Sequence, residues 1–305
     1  MSEYKRSKIY VTGSTGFVGK NLVKFLSTDN YTCISVDLRG EFSKISFDEG
    51  ACIVHLAGKA HDVKNVSDPT EYYRVNFELS KLVFDQFLNS KASKFIFLSS
   101  VKAASDTPTG ILSELDKPSP KTDYGKSKLM AEEYMLSKIM PQGKSIFILR
   151  PCMIHGPNNK GNLNLLFKFV KKGIPWPLGL FNNTRSFLSI DNLNFVIKEL
   201  ISQDRIKSGV YNICDDLPVS TNELVSLINN SIGKRNKIVF IPKWIIIFVF
   251  RIGDFLKLPY NSDTLSKLTE NYVVDNSKIV KAIGKPLPIN SKDGIFLTLL
   301  SFKSN

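Results

Sequence analysis

Hydrophobic residues in the first half of the chain fall into two alternating patterns. Continuous apolar runs (KIYVTG, TCISVDL, ACIVHLAG, KFIFLSS and SIFILRP) are separated by stretches in which apolar positions recur at helical spacing: GKNLVKFLS, EYYRVNFELSKLVFDQFL and YGKSKLMAEEYMLSKI. A strand without a polar face is buried on both sides, and a helix between two such strands provides the crossover that parallel pairing requires. The pattern predicts an α/β fold, a doubly wound parallel sheet with helices on both faces. Between VDL and ACIVHLAG only about 13 residues remain. That is too short for a strand and an ordinary crossover helix, so one βα unit is expected to be trimmed.

The first strand-to-helix turn carries candidate chemistry. In YVTGSTGFVGKNLVKFL, Gly13, Gly16 and Gly19 lie between an apolar strand and an amphipathic helix. Residues without a Cβ let backbone amides approach a pyrophosphate, and the helix N-terminus beyond them offers free N–H groups and a positive dipole end. In that context the spacing predicts a dinucleotide site at the head of a Rossmann-type sheet. Eighteen residues after Gly19, Asp37 ends the strand CISVDL. A carboxylate there accepts hydrogen bonds from ribose hydroxyls, which favours NAD(H). Arg39, two residues on, suits a 2′-phosphate, so NADP(H) stays open.

Tyr124 and Lys128, four apart in YGKSKLMAEEYML, share one helix face. An ammonium close to a phenol favours the phenolate, which is expected to draw the tyrosine pKa below its usual value of ~10 toward one useful for proton transfer. Such pairs are common on solvated helices. This one follows a strand ending in FLSS, which itself follows the glycine turn, and that order makes it a catalytic candidate. Ser99 and Ser100 close that strand at the end where open α/β sheets bind ligands, and Ser100 is the expected partner of the substrate oxygen that Tyr124 protonates.

After Pro151 the pattern loosens into HGPNNKGN, the turn KKGIPWPLG and several short helices, with GVYNIC reading as an isolated strand. Residues 1–150 are therefore expected to form the NAD(P)-binding Rossmann domain with the catalytic helix, and residues 151–305 a smaller C-terminal α/β substrate lobe in the same packed unit. The longest apolar run, WIIIFVF from Trp244 to Phe250, has seven residues. Spanning a bilayer takes about 20, so a transmembrane segment is not expected. The run reads as a partly buried helix, with weak peripheral membrane contact as the alternative.

Composition narrows the partners. With 305 residues, 43% hydrophobic and 23% charged, the chain is an ordinary globular protein and not a disordered one. Forty-one Lys and Arg against 28 Asp and Glu give a net charge of +13, which suits nucleic acid, a membrane surface or a phosphate-bearing small molecule. Neither an aromatic RNA-binding motif nor a helix-turn-helix signature is present, so no nucleic acid partner is expected. The cysteines Cys33, Cys52, Cys152 and Cys214 are far apart and lie in apolar runs, which predicts reduced thiols and no metal site. The N-terminal stretch reaches the glycine turn before a signal sequence could form, so a cytoplasmic location is expected.

Along nearly its whole length the chain resembles the extended short-chain dehydrogenase/reductase (NAD-dependent epimerase/dehydratase) family. TGSTGFVG resembles its glycine loop, HLAG its H-L-A-A strand end, YYRVN its helix ending in V-N, FLSS its catalytic serine strand, and YGKSK its Y-x-x-x-K helix. LRPCMIHGP and RSFLSIDNL resemble its L-R-P-x-x-x-Y-G-P and R-x-F stretches. The resemblance implies catalytic roles for Ser100, Tyr124 and Lys128. It implies dinucleotide contacts from Gly13, Thr15, Gly16, Phe17, Val18, Gly19, Asp37, Arg39, Leu56, Ala57, Gly58, Tyr124 and Lys128, and adenine contacts near Ser46 to Asp48. It implies substrate contacts from Ser100, Lys102, Asn162 and Arg185, with Arg185 on the diphosphate of a UDP-sugar. A homodimer through the Tyr124 helix and its neighbour at residues 70–90 is also implied.

Finer stretches, HLAGKAHDV, FLSSVKA and VVDNSKI among them, resemble bacterial members acting at C4 of UDP-linked N-acetylhexosamines, where His61 and Lys102 are subgroup positions. Two departures stand out: His155 replaces the tyrosine of Y-G-P, and SSVKAASD lacks the common Y-G ending. Sugar dehydratases of the family carry an acidic pair after the catalytic hydroxyl residue, and here those positions are Val101 and Lys102. The expected activity is reduction of a UDP-4-keto-6-deoxy-N-acetylhexosamine, with a 4-epimerase holding tightly bound NAD as the alternative and a non-catalytic dinucleotide sensor as a third reading.

Overall fold

A computed structural model of the chain describes residues 7–29, 31–39, 46–60, 68–159, 161–258 and 261–303. β1 (Ser7–Thr12) turns through the glycines into α1 (Phe17–Ser27) and returns as β2 (Tyr31–Val36), which lies parallel to β1. The chain then crosses to β3 (Cys52–His55) on the other side of β1. A long helical run follows: α2 (Pro69–Tyr72), a π-helical turn at Tyr73–Glu78 and α3 (Leu79–Asn89). It does not end at V-N, as the resemblance implied, but carries Asn76 within the π turn. Next come β4 (Lys94–Leu98), a 3-10 turn at Val101–Ala103, the short β5 (Ile111–Leu112), α4 (Asp123–Leu136) and β6 (Ser145–Pro151).

Past residue 151 the chain forms β7 (Met153–His155), α5 (Asn162–Lys171), β8 (Thr184–Arg185), β9 (Phe187–Ser189), α6 (Ile190–Ser202) and β10 (Gly209–Ile213). β11 (Val219–Ser220), α7 (Thr221–Ser231), α8 (Lys243–Phe255), α9 (Ser262–Thr269), β12 (Val273–Val274), α10 (Ser277–Ile283) and α11 (Ser291–Ser301) complete it.

The central sheet has six parallel strands in the order β10-β6-β4-β3-β1-β2. Alternate residues of each strand face opposite sides, so Ile9 and Val11 enter one core and Tyr10 the other. On the first side, Val54 and Ile96 pack with Leu22 and Leu26 of α1, Leu193, Ile197 and Leu200 of α6, and Ile283 of α10. On the second, Ile53, Phe95 and Phe97 pack against Val83, Phe84 and Phe87 of α3 and Met135 of α4. This is the doubly wound α/β architecture expected from the apolar runs. β2 is the edge strand, because no strand or crossover helix follows it among the described residues, as the short spacer required.

The reading of GVYNIC as isolated is corrected. Gly209–Ile213 pairs with Phe147–Pro151 of β6 and becomes the other edge of the main sheet, because α6 brings the chain back across it. A third core, built around Leu163, Phe167, Trp176, Leu224, Ile228 and Leu299, belongs to the elements beyond residue 160.

Candidate active site

A cleft of about 880 Å3 opens beyond the C-terminal ends of β1, β3, β4 and β6. Its floor is the glycine turn. Gly13 has φ +66° and a Cβ on it would sit 2.7 Å from the Ala57 amide nitrogen, while a Cβ on Gly19 would overlap the Gly13 carbonyl. Only glycine permits this approach of α1 to the turn. Gly16 caps α1 with no side-chain hydrogen bond, and the first turn of the helix carries no acidic residue. The first-turn N–H groups and the positive end of the dipole are thus left for an anion, which fits the pyrophosphate of a dinucleotide.

A buried relay fixes the neighbouring strand end. Thr12 Oγ1 accepts from the amides of Leu56 and Ala57, both at 3.1 Å. Its own proton therefore goes to His55 Nδ1 at 2.7 Å, and Nε2–H donates to Ser80 Oγ at 3.0 Å. Burial, reinforced by the Lys128 charge, pushes the His55 pKa down to about 3, so this imidazole is neutral and structural.

The catalytic candidates meet through α4. Thr122 caps the helix by accepting from the Gly125 amide at 3.2 Å, and its hydroxyl donates to Asp106 at 2.9 Å. A Cβ on Gly125 would overlap the Lys102 carbonyl, so this glycine lets the helix lie directly on the turn that follows Ser100. Ser100 Oγ accepts from the Lys102 amide at 3.2 Å, and its hydroxyl hydrogen-bonds the Tyr124 phenol. Ser99 is engaged elsewhere: its hydroxyl donates to Glu132, which is held in a buried ion pair by Arg150.

Electrostatics at Tyr124 differ from the sequence expectation. Burial raises its pKa above the usual 10, the Ser100 hydrogen bond opposes that rise, and the nearby Tyr72 phenol adds to it. Lys128 does not lower it, because its ammonium turns to the Leu98 carbonyl at 2.8 Å and lies 4.8 Å from the centre of the Phe97 ring. Burial of this lysine pushes its pKa down to about 8, against the opposing pull of Glu132 one helical turn on. Asn76 ties the same region together. Its side chain accepts from the Lys59 amide at 2.8 Å and donates to the Lys59 carbonyl and to Ser127.

The far end of the cleft is rich in charge. Arg185 pairs with Glu270 at 2.9 Å and donates to the Lys267 carbonyl, while Lys267 pairs with Asp263 at 2.7 Å. The Lys102 ammonium donates to the Asp106 carbonyl at 2.7 Å and lies 4.5 Å from the centre of the Tyr272 ring. Burial lowers the pKa of both Lys102 and Arg185, with Glu270 opposing in each case. His155 closes one wall, its Nδ1 2.9 Å from Thr298 and its Nε2 3.4 Å from the Asp215 carboxylate.

Comparison with known proteins shows the family. Residues 9–214 match the model of the NAD dependent epimerase/dehydratase family. The chain belongs to that family. It is 31% identical to a UDP-glucose 4-epimerase of Vibrio cholerae, over 96% of this chain and 95% of that protein. It is 27% identical to an N-acetyl-alpha-D-glucosaminyl-diphospho-ditrans,octacis-undecaprenol 4-epimerase of Escherichia coli O157:H7, over 90% of this chain and 84% of the other. Its fold matches that of a UDP-glucuronic acid 4-epimerase from Bacillus cereus in complex with NAD, with a TM-score of 0.74 at 20% identity over 97% and 99% of the two chains. The protein is thus an NAD(P)-dependent nucleotide-sugar epimerase/oxidoreductase.

Within this epimerase/dehydratase fold, Gly13, Gly16, Phe17, Val18, Gly19, Leu56, Gly58, Ser100, Lys102, Tyr124, Lys128, Asn162 and Arg185 all line the one cleft. Ala57 lies beneath Gly13 and not on the cleft wall, and Thr15 is exposed. Asp37 and Arg39 stand outside the cleft lining at the end of β2, where they hold each other at 3.0 Å. Asp48 turns to Tyr10 and Lys8, at 2.6 and 2.9 Å. His61 lies outside the described residues. Sequence reasoning missed Asn76, Thr122, Glu132, Arg150 and Glu270. The T-x-x-G step before the catalytic helix was a readable capping signal for Thr122. The partners of the others lie too far away in sequence for any local pattern.

Proposed function

We propose that this protein reduces the 4-keto group of a UDP-linked 6-deoxy-N-acetylhexosamine, in the synthesis of bacterial surface-polysaccharide precursors. The observation that carries the reading is the Ser100 hydroxyl set against the Tyr124 phenol in the same cleft that the glycine turn lines. A phenol that stays protonated at neutral pH is poised to give a proton to a forming C4 oxygen, with the Ser100 hydroxyl bonding the same oxygen. The glycine turn, Tyr124 and Lys128 would hold the nicotinamide dinucleotide, which when bound supplies the hydride. Lys102 and Arg185 would take the diphosphate, as a planar guanidinium and a flexible ammonium suit two linked phosphates. Neither Val101 nor Lys102 can act as an acid-base pair, so elimination across C5 and C6 is not proposed.

A reductase must release its cofactor at each turnover, whereas an epimerase keeps it. The names of the relatives favour a second reading, a 4-epimerase acting on UDP-glucose or UDP-N-acetylglucosamine. One relative also raises a polyprenyl diphosphate as the carrier in place of uridine. We further read the protein as a cytoplasmic homodimer. Its four cysteines are free, and Leu82 on α3 with Met130 and Leu136 on α4 are exposed apolar residues on the two helices of the proposed contact. Sedimentation velocity of the purified chain tests the dimer.

The reaction is tested by incubation with UDP-4-keto-6-deoxy-GlcNAc and, separately, UDP-GlcNAc, each with NADH, NADPH or no added cofactor. Stoichiometric loss of reduced cofactor with the keto-sugar is expected. Interconversion of UDP-GlcNAc and its C4 epimer without net redox change would replace the reductase by the epimerase. Tyr124→Phe is expected to abolish turnover in either case while leaving dinucleotide binding intact. Absence of turnover in both forms would favour a dinucleotide sensor.

A further inference from the structure

Helix α8 presents an apolar stripe to solvent. Trp244, Phe248, Ile252 and Phe255 recur at steps of three or four along it with Ile247 beside Phe248, and all are exposed, Trp244 at 70% and Phe255 at 86%. The opposite side is already engaged, since Ile246 is buried in the third core and Phe250 packs against it. The core therefore makes no use of the outer stripe. Val239 and Phe240, just before the helix, are exposed as well. Folded monomers seldom leave so much contiguous apolar surface without a partner.

The charge around this surface identifies the partner. Residues 234–258 carry Lys234, Arg235, Lys237, Lys243, Arg251 and Lys257, all exposed, against the single carboxylate of Asp254, which accepts from the Ser262 amide at 2.9 Å. Lys234, Arg235 and Lys237 also line a pocket of about 160 Å3 together with Trp176 and Asn229. An isologous contact between two copies would set these cations face to face, which disfavours a second copy as the occupant. An anionic surface with an apolar layer behind it matches both features. Helix α8 has 13 residues, and no helix among the described residues is long and apolar enough to cross a membrane.

We propose that α8 and the basic segment before it dock this protein on the surface of a bilayer that carries anionic lipids. The aromatic stripe enters the headgroup boundary and the cations meet lipid phosphates. α9 packs against α8 and contributes Asp263, Ser266 and Lys267 to the cleft, so docking holds the cleft mouth close to the lipid surface. The inference does not depend on which reaction the cleft performs.

The test uses the full chain with vesicles of phosphatidylcholine alone or mixed with phosphatidylglycerol, read by co-sedimentation and by tryptophan emission. The chain has two tryptophans, and Trp176 is buried, so a blue shift reports Trp244. Pelleting and a blue shift are expected with the anionic vesicles, both reduced by salt. Lys237→Ala or Lys243→Ala should each lower partitioning about fivefold. The double variant Phe248→Glu/Phe255→Glu should abolish it while keeping the parent melting temperature and dinucleotide binding. A parent that neither pellets nor shifts with anionic vesicles would overturn the proposal. So would a double variant that converts a dimer to a monomer when the parent binds no lipid, since the face would then belong to a second copy.

Discussion

Burial sets the behaviour of Lys128, and its consequence is measurable in stability as well as activity. A pKa lowered from the usual 10.5 to about 8 corresponds to roughly 3 kcal/mol of folding free energy lost while the group is charged. Below about pH 8 both folded and unfolded chains hold the proton, and the full penalty stands. Between about 8 and 10.5 the unfolded chain binds the proton and the folded one does not, so this group makes stability rise with pH. Lys128→Met removes the charge but leaves the Leu98 carbonyl without a partner, an offset of about 1 kcal/mol. The variant is expected to melt higher than the parent at pH 7, and the gap should close by pH 10, with turnover lost throughout. Thermal denaturation of both proteins at the two pH values checks this, and a pH-independent gap would refute it. At the end of β2, where the proposed reading puts the adenosine ribose, the Asp37 carboxylate holds Arg39 at 3.0 Å and opposes a second anion beside it. Asp37→Ser should free the guanidinium and shift preference toward NADP(H) by tenfold or more, a difference of about 1.4 kcal/mol, read as the ratio of kcat/KM for the two cofactors.

The contact between α4 and the turn at Val101–Ala103 decides whether Ser100 and Tyr124 meet. Because a Cβ on Gly125 would overlap the Lys102 carbonyl, Gly125→Ala must push the helix away from that turn. Overpacking of this kind typically costs about 1–3 kcal/mol, and here the displacement also parts the two hydroxyls. A lower melting temperature with a fall in kcat larger than any change in KM is the expected result of steady-state kinetics and thermal melts. An unchanged kcat would mean that the helix position is not what aligns them. Elements of this kind were legible in sequence where their cause is local. The apolar runs predicted the buried strands, the glycine spacing the turn at β1, and the spacer after Asp37 the missing unit. Ser100 was chosen over Ser99 from the sequence, but what sets Ser99 aside was not legible there, since its hydroxyl is claimed by Glu132, 33 residues away. The pKa of Tyr124 was misjudged for a related reason. Helical spacing put Lys128 on the same face, but the Leu98 carbonyl competes for its ammonium, and that carbonyl comes from another strand.

At the scale of the whole molecule, the first 150 residues do not own their side of the sheet. β6 depends on β10 for its outer pairing, and α6 and α10 supply Leu193, Val196, Ile197, Leu200, Ile279 and Ile283 to the core that also holds Ile9, Val11, Val54 and Ile96. The buried ammonium of Lys94, at the start of β4, donates to the carbonyls of Leu200 and Ile201 at 3.0 and 2.7 Å, closing the C-terminal end of α6 from across the chain. A fragment of residues 1–150 would leave β6 as an unpaired edge, strip α6 and α10 from a sheet face on which only α1 remains, and take from Lys94 the carbonyls it binds. Each of these is unfavourable, and together they exceed the few kcal/mol by which a domain of this size is stable. The full chain should therefore unfold in a single calorimetric transition, and the 1–150 fragment should show no cooperative melt even with added dinucleotide. Two resolved transitions in the full chain, or a fragment that melts cooperatively and binds NAD, would mean that the second half only leans on a finished domain. A single transition with an unfolded fragment would mean that the cofactor site exists only once the substrate elements have closed the sheet, so cofactor and sugar are held by one cooperative unit.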